Sequence, residues 1–169
     1  MSQSNRPESP QQTVVCRGVR GATSVSNDDE DMMLAATREL LLTLVHENRM
    51  HPSEIASMWL TTTPDLTACF PALAARQIGW YDVPMLCAHE MSVPGALPRV
   101  IRVMINWNTV KSQGDIKHVY LRECVRLRPD KVRVPPITRE DAEVYLRRMG
   151  LKDLSYLEWF SSNGNSNAH

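Results

Sequence analysis

The chain has 169 residues, 43% of them hydrophobic, and a formal net charge of zero, with 19 Lys+Arg against 19 Asp+Glu. That is enough apolar material for one domain of ordinary size, and too little positive excess for a general nucleic-acid binder, which must displace counterions from phosphates. Within the neutral total the cations are skewed, 15 Arg to 4 Lys, towards the group that contacts carboxylates and phosphates with a planar, bidentate fork.

Residues 1–12 are polar, carry two prolines and show no periodicity, which predicts a flexible tail. A β-rich run over 13–19 then meets Gly21. Asn27 is placed to cap an acidic first turn at 28–31, and Met33, Leu40, Leu41, Leu44 and Val45 follow helical spacing to about Asn48, predicting a helix that covers one face of a sheet. After the His51-Pro52 turn, residues 55–63 read as a buried strand ended by Pro64-Asp65. Residues 71–78 read as a short helix stopped by Gly79, and 83–88 as a third strand. From Arg99 the alternation is strict: Ile101, Val103, Ile105 and Trp107 share one face, while Val100, Arg102, Met104 and Asn106 share the other. Residues 118–128 also alternate, which predicts a further strand. The expected order is β-α-β-α-β-β, a mixed-sheet α/β (α+β) domain over 13–130. Residues 131–169 form an extension. Pro135-Pro136 is a stiff linker, Thr138 and Asp141 suit a capping box, and Val144, Tyr145 and Met149 predict a short helix before Gly150. Leu151, Leu154, Leu157, Trp159 and Phe160 are too apolar to stay solvated, so the extension is expected to dock, helical to about 160 and disordered beyond.

Charge is unevenly spread along these elements. Residues 27–54 hold seven acids and two bases, a balance of −5, whereas 99–133 hold nine bases and three acids, a balance of +6. A basic stretch of this kind is a solvated face, the surround of an anionic ligand, or a partner for an acidic helix of another subunit. Cys16, Cys69, Cys87 and Cys124 lie 53, 18 and 37 residues apart and form neither a CxxC pair nor a disulfide framework, so they read as reduced thiols of a cytoplasmic protein. The five histidines have no metal-ligand spacing, so no metal centre is expected. No apolar run reaches the ~18 residues of a membrane span, and the N-terminal residues hold no hydrophobic signal core.

Several short motifs lie in one order along the chain: RGVRGAT at 17–23, TPDL at 63–66, FPA at 70–72, CAHEM at 87–91, RVIRVM at 99–104, and HVYL at 118–121 leading to LRPD at 127–130. Each is weak alone, but together they resemble the AroH type of chorismate mutase, in register from about Val15 to Asp130 with a one-residue shift between Arg76 and Cys87. The resemblance implies a homotrimeric pseudo-α/β-barrel with three sites at subunit interfaces. By the same resemblance each site would convert chorismate to prephenate, a step towards phenylalanine and tyrosine, with no cofactor and no covalent intermediate. It further implies that Arg20 and Tyr120 bind substrate carboxylate, that Arg102 faces the ether oxygen, and that Glu90 accepts from the ring hydroxyl. Leu86, Cys87, Ala88, His89 and Glu90 would line the ring. Phe70, Ala72 and Arg76 would form a neighbouring wall, and Leu127 and Arg128 would close over the ligand. Arg20, Arg76, Arg102 and Arg128 set against Glu90 give about +3 for a substrate of −2. Leu73 stands where the family carries a lysine, which removes one peripheral cation.

On an extended strand Tyr120 and Arg128 are roughly 26 Å apart at ~3.3 Å per residue. Either the strand bends, its end folds over, or the site is shared between chains. Because the extension begins beside Arg128, it either steadies the mouth of the site or adds a packing layer remote from it. Two other functions fit the architecture, an imine-deaminating trimer of the Rid type and a non-catalytic binder of small metabolites. The CAHEM and HVYL motifs suit the Rid type less well.

Overall fold

The computed structural model describes residues 13–131 and 133–163; the tail expected over 1–12 lies outside them, as does the end expected to be disordered after about 160, apart from 161–163, which are helical. Among the described residues five strands form one mixed sheet: β1 (Val15–Ser24), β2 (Ile55–Thr62), β3 (Met85–His89), β4 (Val100–Thr109) and β5 (Val119–Tyr120), in spatial order β3-β2-β4-β1-β5. β4 is the centre, antiparallel to both β1 and β2, while β3 and β5 add to the sheet in parallel. Among the described residues four α-helices accompany the sheet: α1 (Glu30–Asn48), α2 (Ala72–Gln77), α3 (Arg139–Arg148) and α4 (Glu158–Asn163).

β1 runs past its predicted end because each of its ten residues pairs with β4, from Val15 opposite Thr109 to Ser24 opposite Val100. Gly21 lies within it, and a Cβ there would stand 2.8 Å from Leu44 and 3.0 Å from Val103. The missing side chain is what lets α1 lie close on the strand. Gly79, with φ 87°, ends the α2 turn as expected, and its bare Cα accommodates Leu151 from the extension.

The start of α1 corrects the sequence reading. Asp29, not Asn27, is the N-cap, its Oδ1 accepting from Met32 N–H at 3.0 Å. Asp28 is drawn away to receive Thr67 N–H, Thr67 Oγ1–H and Ala68 N–H. These bonds hold its carboxyl below the usual range and tie the loop after β2 to the helix start. Every residue of α1 from Met33 to Val45 is buried, not only the predicted stripe. Its inner face packs on β1, and Thr43 Oγ1 accepts from Ile137 N–H of the extension at 3.0 Å. The extension therefore docks on its own chain, as a third layer over α1. Thr138 caps α3 as predicted, accepting from Asp141 N–H at 3.1 Å, but Ala142 and Leu146 are its buried residues and Val144 points to solvent. Trp80 Nε1–H donates to Tyr145 Oη at 3.3 Å, a second tie to the domain.

The largest correction concerns residues 118–128. Only Val119–Tyr120 is strand; Arg122–Leu127 winds into 3₁₀ turns. Cys124 is fully buried with Ala22, Val100 and Tyr120, and Leu127 packs against that cluster. A straight strand would have left these apolar groups in water, so the end folds back over the sheet.

Candidate functional site

The two faces of the sheet follow from the period of two. On β4, Ile101, Val103, Ile105 and Trp107 point to the α1 side and are buried. Arg102 and Met104 point to the opposite, open face. Register then aligns one row across four strands: Thr61 on β2, Arg102 on β4, Ala22 on β1 and Tyr120 on β5. Ala22 is small, which leaves space between the arginine and the tyrosine.

A cavity of about 430 Å³ opens over this row. Arg20, Arg102, Tyr120, Glu90, Leu127 and Arg128 all border it, so residues distant in sequence converge within one chain. The fold-back of the 3₁₀ turns is what brings Leu127 and Arg128 over Tyr120. Three guanidiniums and one carboxylate give the cavity a formal +2, suited to a small dianion.

Arg102 Nη1 pairs with Glu90 Oε2 at 2.8 Å, and Thr61 Oγ1–H donates to Glu90 Oε1. Glu90 is placed by its own N–H, which donates to Thr62 O at 2.8 Å and continues the β2–β3 ladder one residue past the strand. Arg128 makes a two-pronged contact with Asp130, at 2.8 and 2.7 Å. Those bonds hold the Asp130 carboxyl down at about 2 and raise the affinity of Arg128 for its proton. The Tyr120 hydroxyl is buried close to the Arg128 guanidinium, with which it interacts, but makes no well-aligned hydrogen bond. A buried hydroxyl without a well-aligned partner, beside a guanidinium and a cavity, can donate to an anionic ligand oxygen.

His118 and Thr61 carry weight that the sequence reading missed. His118 Nδ1 accepts Arg20 N–H at 3.1 Å, which fixes the strand position from which Arg20 projects. Burial, then the nearby charges of Lys131, Arg20 and Arg128, lower His118 below its usual 6.5 and keep it neutral. Trp59 and Met104 also border the cavity. Strand parity was the available signal for Trp59 and Thr61, two residues apart on β2, but their facing depends on the register with Arg102.

The other expected residues lie elsewhere in the single chain. Leu86 and Ala88 are exposed on the open face of β3, one strand beyond the cavity. Cys87 packs against the main core, and His89 Nδ1 is 3.2 Å from Thr62 Oγ1. Phe70 is exposed, Ala72 is buried at the start of α2, and Arg76 is exposed on that helix. None of these borders the cavity. Burial pushes the Cys124 thiol beneath Tyr120 up to about 12, so it serves packing rather than nucleophilic chemistry.

The description "chorismate mutase type I" belongs to the family model that matches residues 16–131. The chain is 54% identical to chorismate mutase AroH of Thermus thermophilus over 115 residues, 68% of this chain and 94% of that protein. It is 46% identical to chorismate mutase AroH of Bacillus subtilis over 118 residues, 69% of this chain and 93% of that protein. A solved chorismate mutase from Clostridium thermocellum superposes with a TM-score of 0.63 at 44% identity, over 63% of this chain and 96% of that one. The matched segment ends at residue 131, so the extension lies outside it.

Proposed function

The chain belongs to the chorismate mutase type I family, and we infer from this that it is an isomerase converting chorismate to prephenate, in the biosynthesis of aromatic amino acids. The rearrangement is internal to one molecule: an ether C–O bond breaks, a C–C bond forms, and no group or electron leaves. The catalyst has to hold the reactive conformer and answer the charge that develops as the C–O bond opens.

We assign the electrostatic role to Arg102. Partial negative charge grows on the ether oxygen, and a guanidinium held on the central strand is worth more there in the transition state than in the ground state. The observation that carries this is the Arg102–Glu90 pair at 2.8 Å on the floor of a cavity with net positive charge. Glu90 orients the guanidinium, faces the ring hydroxyl, and puts negative charge near the developing cation. Arg20 and Tyr120 hold substrate carboxylate, and Leu127 and Arg128 cover it. Loss of chorismate absorbance with purified protein, repeated for Arg102→Ala, tests the assignment; a fully active variant overturns it.

The homotrimer with sites between subunits is also proposed. Leu86, Trp59 and Met104 stand side by side across β3, β2 and β4, and they are 57, 47 and 38% exposed on the open face. A row of that kind is suited to burial against another copy. In such an assembly Phe70, Arg76 and the β3 residues Leu86–His89 reach sites they do not border in a single chain. Light scattering on the purified protein gives the mass of the assembly directly. Among the described residues, no helix is long and apolar enough to cross a membrane, and a cytoplasmic location is the reading in keeping with reduced cysteines.

A further inference from the structure

Arg122 stands where the extension, the helix layer and the candidate site meet. It opens the 3₁₀ segment that ends in Leu127 and Arg128, and its φ of 52° lies in the left-handed region, which a long side chain seldom adopts. The side chain explains how that backbone is held. Nη1–H donates to Thr23 Oγ1 at 2.7 Å, and Nη2 pairs with Glu39 of α1. The guanidinium carbon lies 5.4 Å from the centre of the Trp159 ring on α4. Thr23 shares its strand face with Val19 and Gly21, on the α1 side of the sheet, whereas Cys124 and Leu127 pack on the open side. Arg122 therefore reaches past the edge strand β5, from the turn on one face to the helices on the other.

We propose that the C-terminal extension sets the position of the turn that closes the site, acting through the stack of Trp159 on Arg122. The proposal rests on the reading of Leu127 and Arg128 as residues that cover substrate. Trp159 touches no substrate and is a positioning residue. Its ring shields the Arg122–Glu39 pair from water, which strengthens that pair. Glu39 is buried, and burial raises its carboxyl while Arg122 opposes the rise. A second stack, of Tyr156 on Arg38 at 5.2 Å, fixes the same end of the extension to α1. The extension thus does more than cover α1: it completes the support of a strained turn on the far side of the sheet.

Substituting Arg122 leaves Glu39 buried without a partner and risks the fold, so the test uses Trp159→Ala and Trp159→Phe in the full chain. Amide hydrogen exchange of residues 123–128 is measured without substrate, and KM and kcat are measured with chorismate. Trp159→Ala is expected to speed exchange over 123–128 and raise KM by about fivefold, the factor that goes with a lost stack of this strength, with kcat within about twofold. Trp159→Phe keeps an aromatic face and is expected to restore both. Tyr145→Phe, which loosens the extension at Trp80 instead, is expected to leave both unchanged. Unchanged exchange over 123–128 in Trp159→Ala overturns the proposal. Faster exchange with an unchanged KM upholds the mechanical link and instead removes Leu127 and Arg128 from the substrate site.

Discussion

The two faces of β4 are made by the same ten residues and have opposite duties. Ile101, Val103, Ile105 and Trp107 are closed in beneath α1, which is itself covered by the extension. Arg102, Met104 and Asn106 look outward, and Arg102 keeps a third of its side chain exposed. The inner face gains stability by excluding water. The outer face holds groups that are paired but still open, Arg102 with Glu90 and Asn106 with Ser57, beside the exposed Met104. A change on one face is therefore expected to alter stability and spare chemistry, and a change on the other to do the reverse.

The sharpest break of that division is Arg102→Ala. Turnover is expected to fall by about 10²- to 10³-fold, or about 3 to 4 kcal/mol, as for loss of a donor at a developing anion. The thermal midpoint is expected to move little, because the guanidinium is partly solvated and Glu90 keeps Thr61. Activity that falls only in step with unfolding would show that the outer face is structural after all. Gly21→Ala probes the inner face. Its Cβ meets Leu44, Val103 and Leu40 at 2.8 to 3.1 Å, and overpacking of this kind costs about 2 kcal/mol, roughly 4–8 °C in a melting curve. At temperatures where it stays folded, the variant is expected to keep its KM for chorismate.

Met104→Glu tests what covers the outer face. A carboxylate in the Leu86–Trp59–Met104 row is expected to weaken self-association by at least about tenfold, about 1.4 kcal/mol. Sedimentation should show smaller species while far-UV circular dichroism of the fold is retained; an unchanged assembly places the subunit contact elsewhere. The smallest effect expected is the titration of His118. Its folded value lies below 6.5, so as pH falls the unfolded chain binds this proton first. The contribution of His118 to stability is full above pH 6.5 and is lost as pH drops from there through the lowered folded value. His118→Asn keeps an acceptor for Arg20 N–H and is expected to flatten that slope in denaturant titrations. A slope as steep as that of the parent assigns the pH dependence to other groups.

Much of the site is legible in the sequence because its signals are local. Alternation along β4 put Arg102 opposite the aliphatic stripe, since side chains in a strand change face at every residue whatever the partners are. The CAHEM and LRPD motifs marked Glu90 and Arg128 by resemblance. Thr61 and His118 were not marked, because their places depend on partners 29 and 98 residues away. The cap of α1 was misread for a similar reason. Asn27 and Asp29 are both good caps, and the choice was made by Asp28, which the distant loop at Thr67 holds out of the helix.

Composition and local pattern by themselves determined the mixed α and β character, most of the elements within a few residues, the face from which Arg102 projects, and the helical start of the extension at Thr138. Tertiary structure decided the rest. Residues 118–128 have the alternation of a strand, yet only two of them pair, because burying Cys124 and Leu127 beside Tyr120 outweighs continuing the ladder. Tertiary structure also decided that the extension lies on α1 and reaches Arg122. Both outcomes rest on burial between segments far apart in sequence, and that quantity has no counterpart in local spacing.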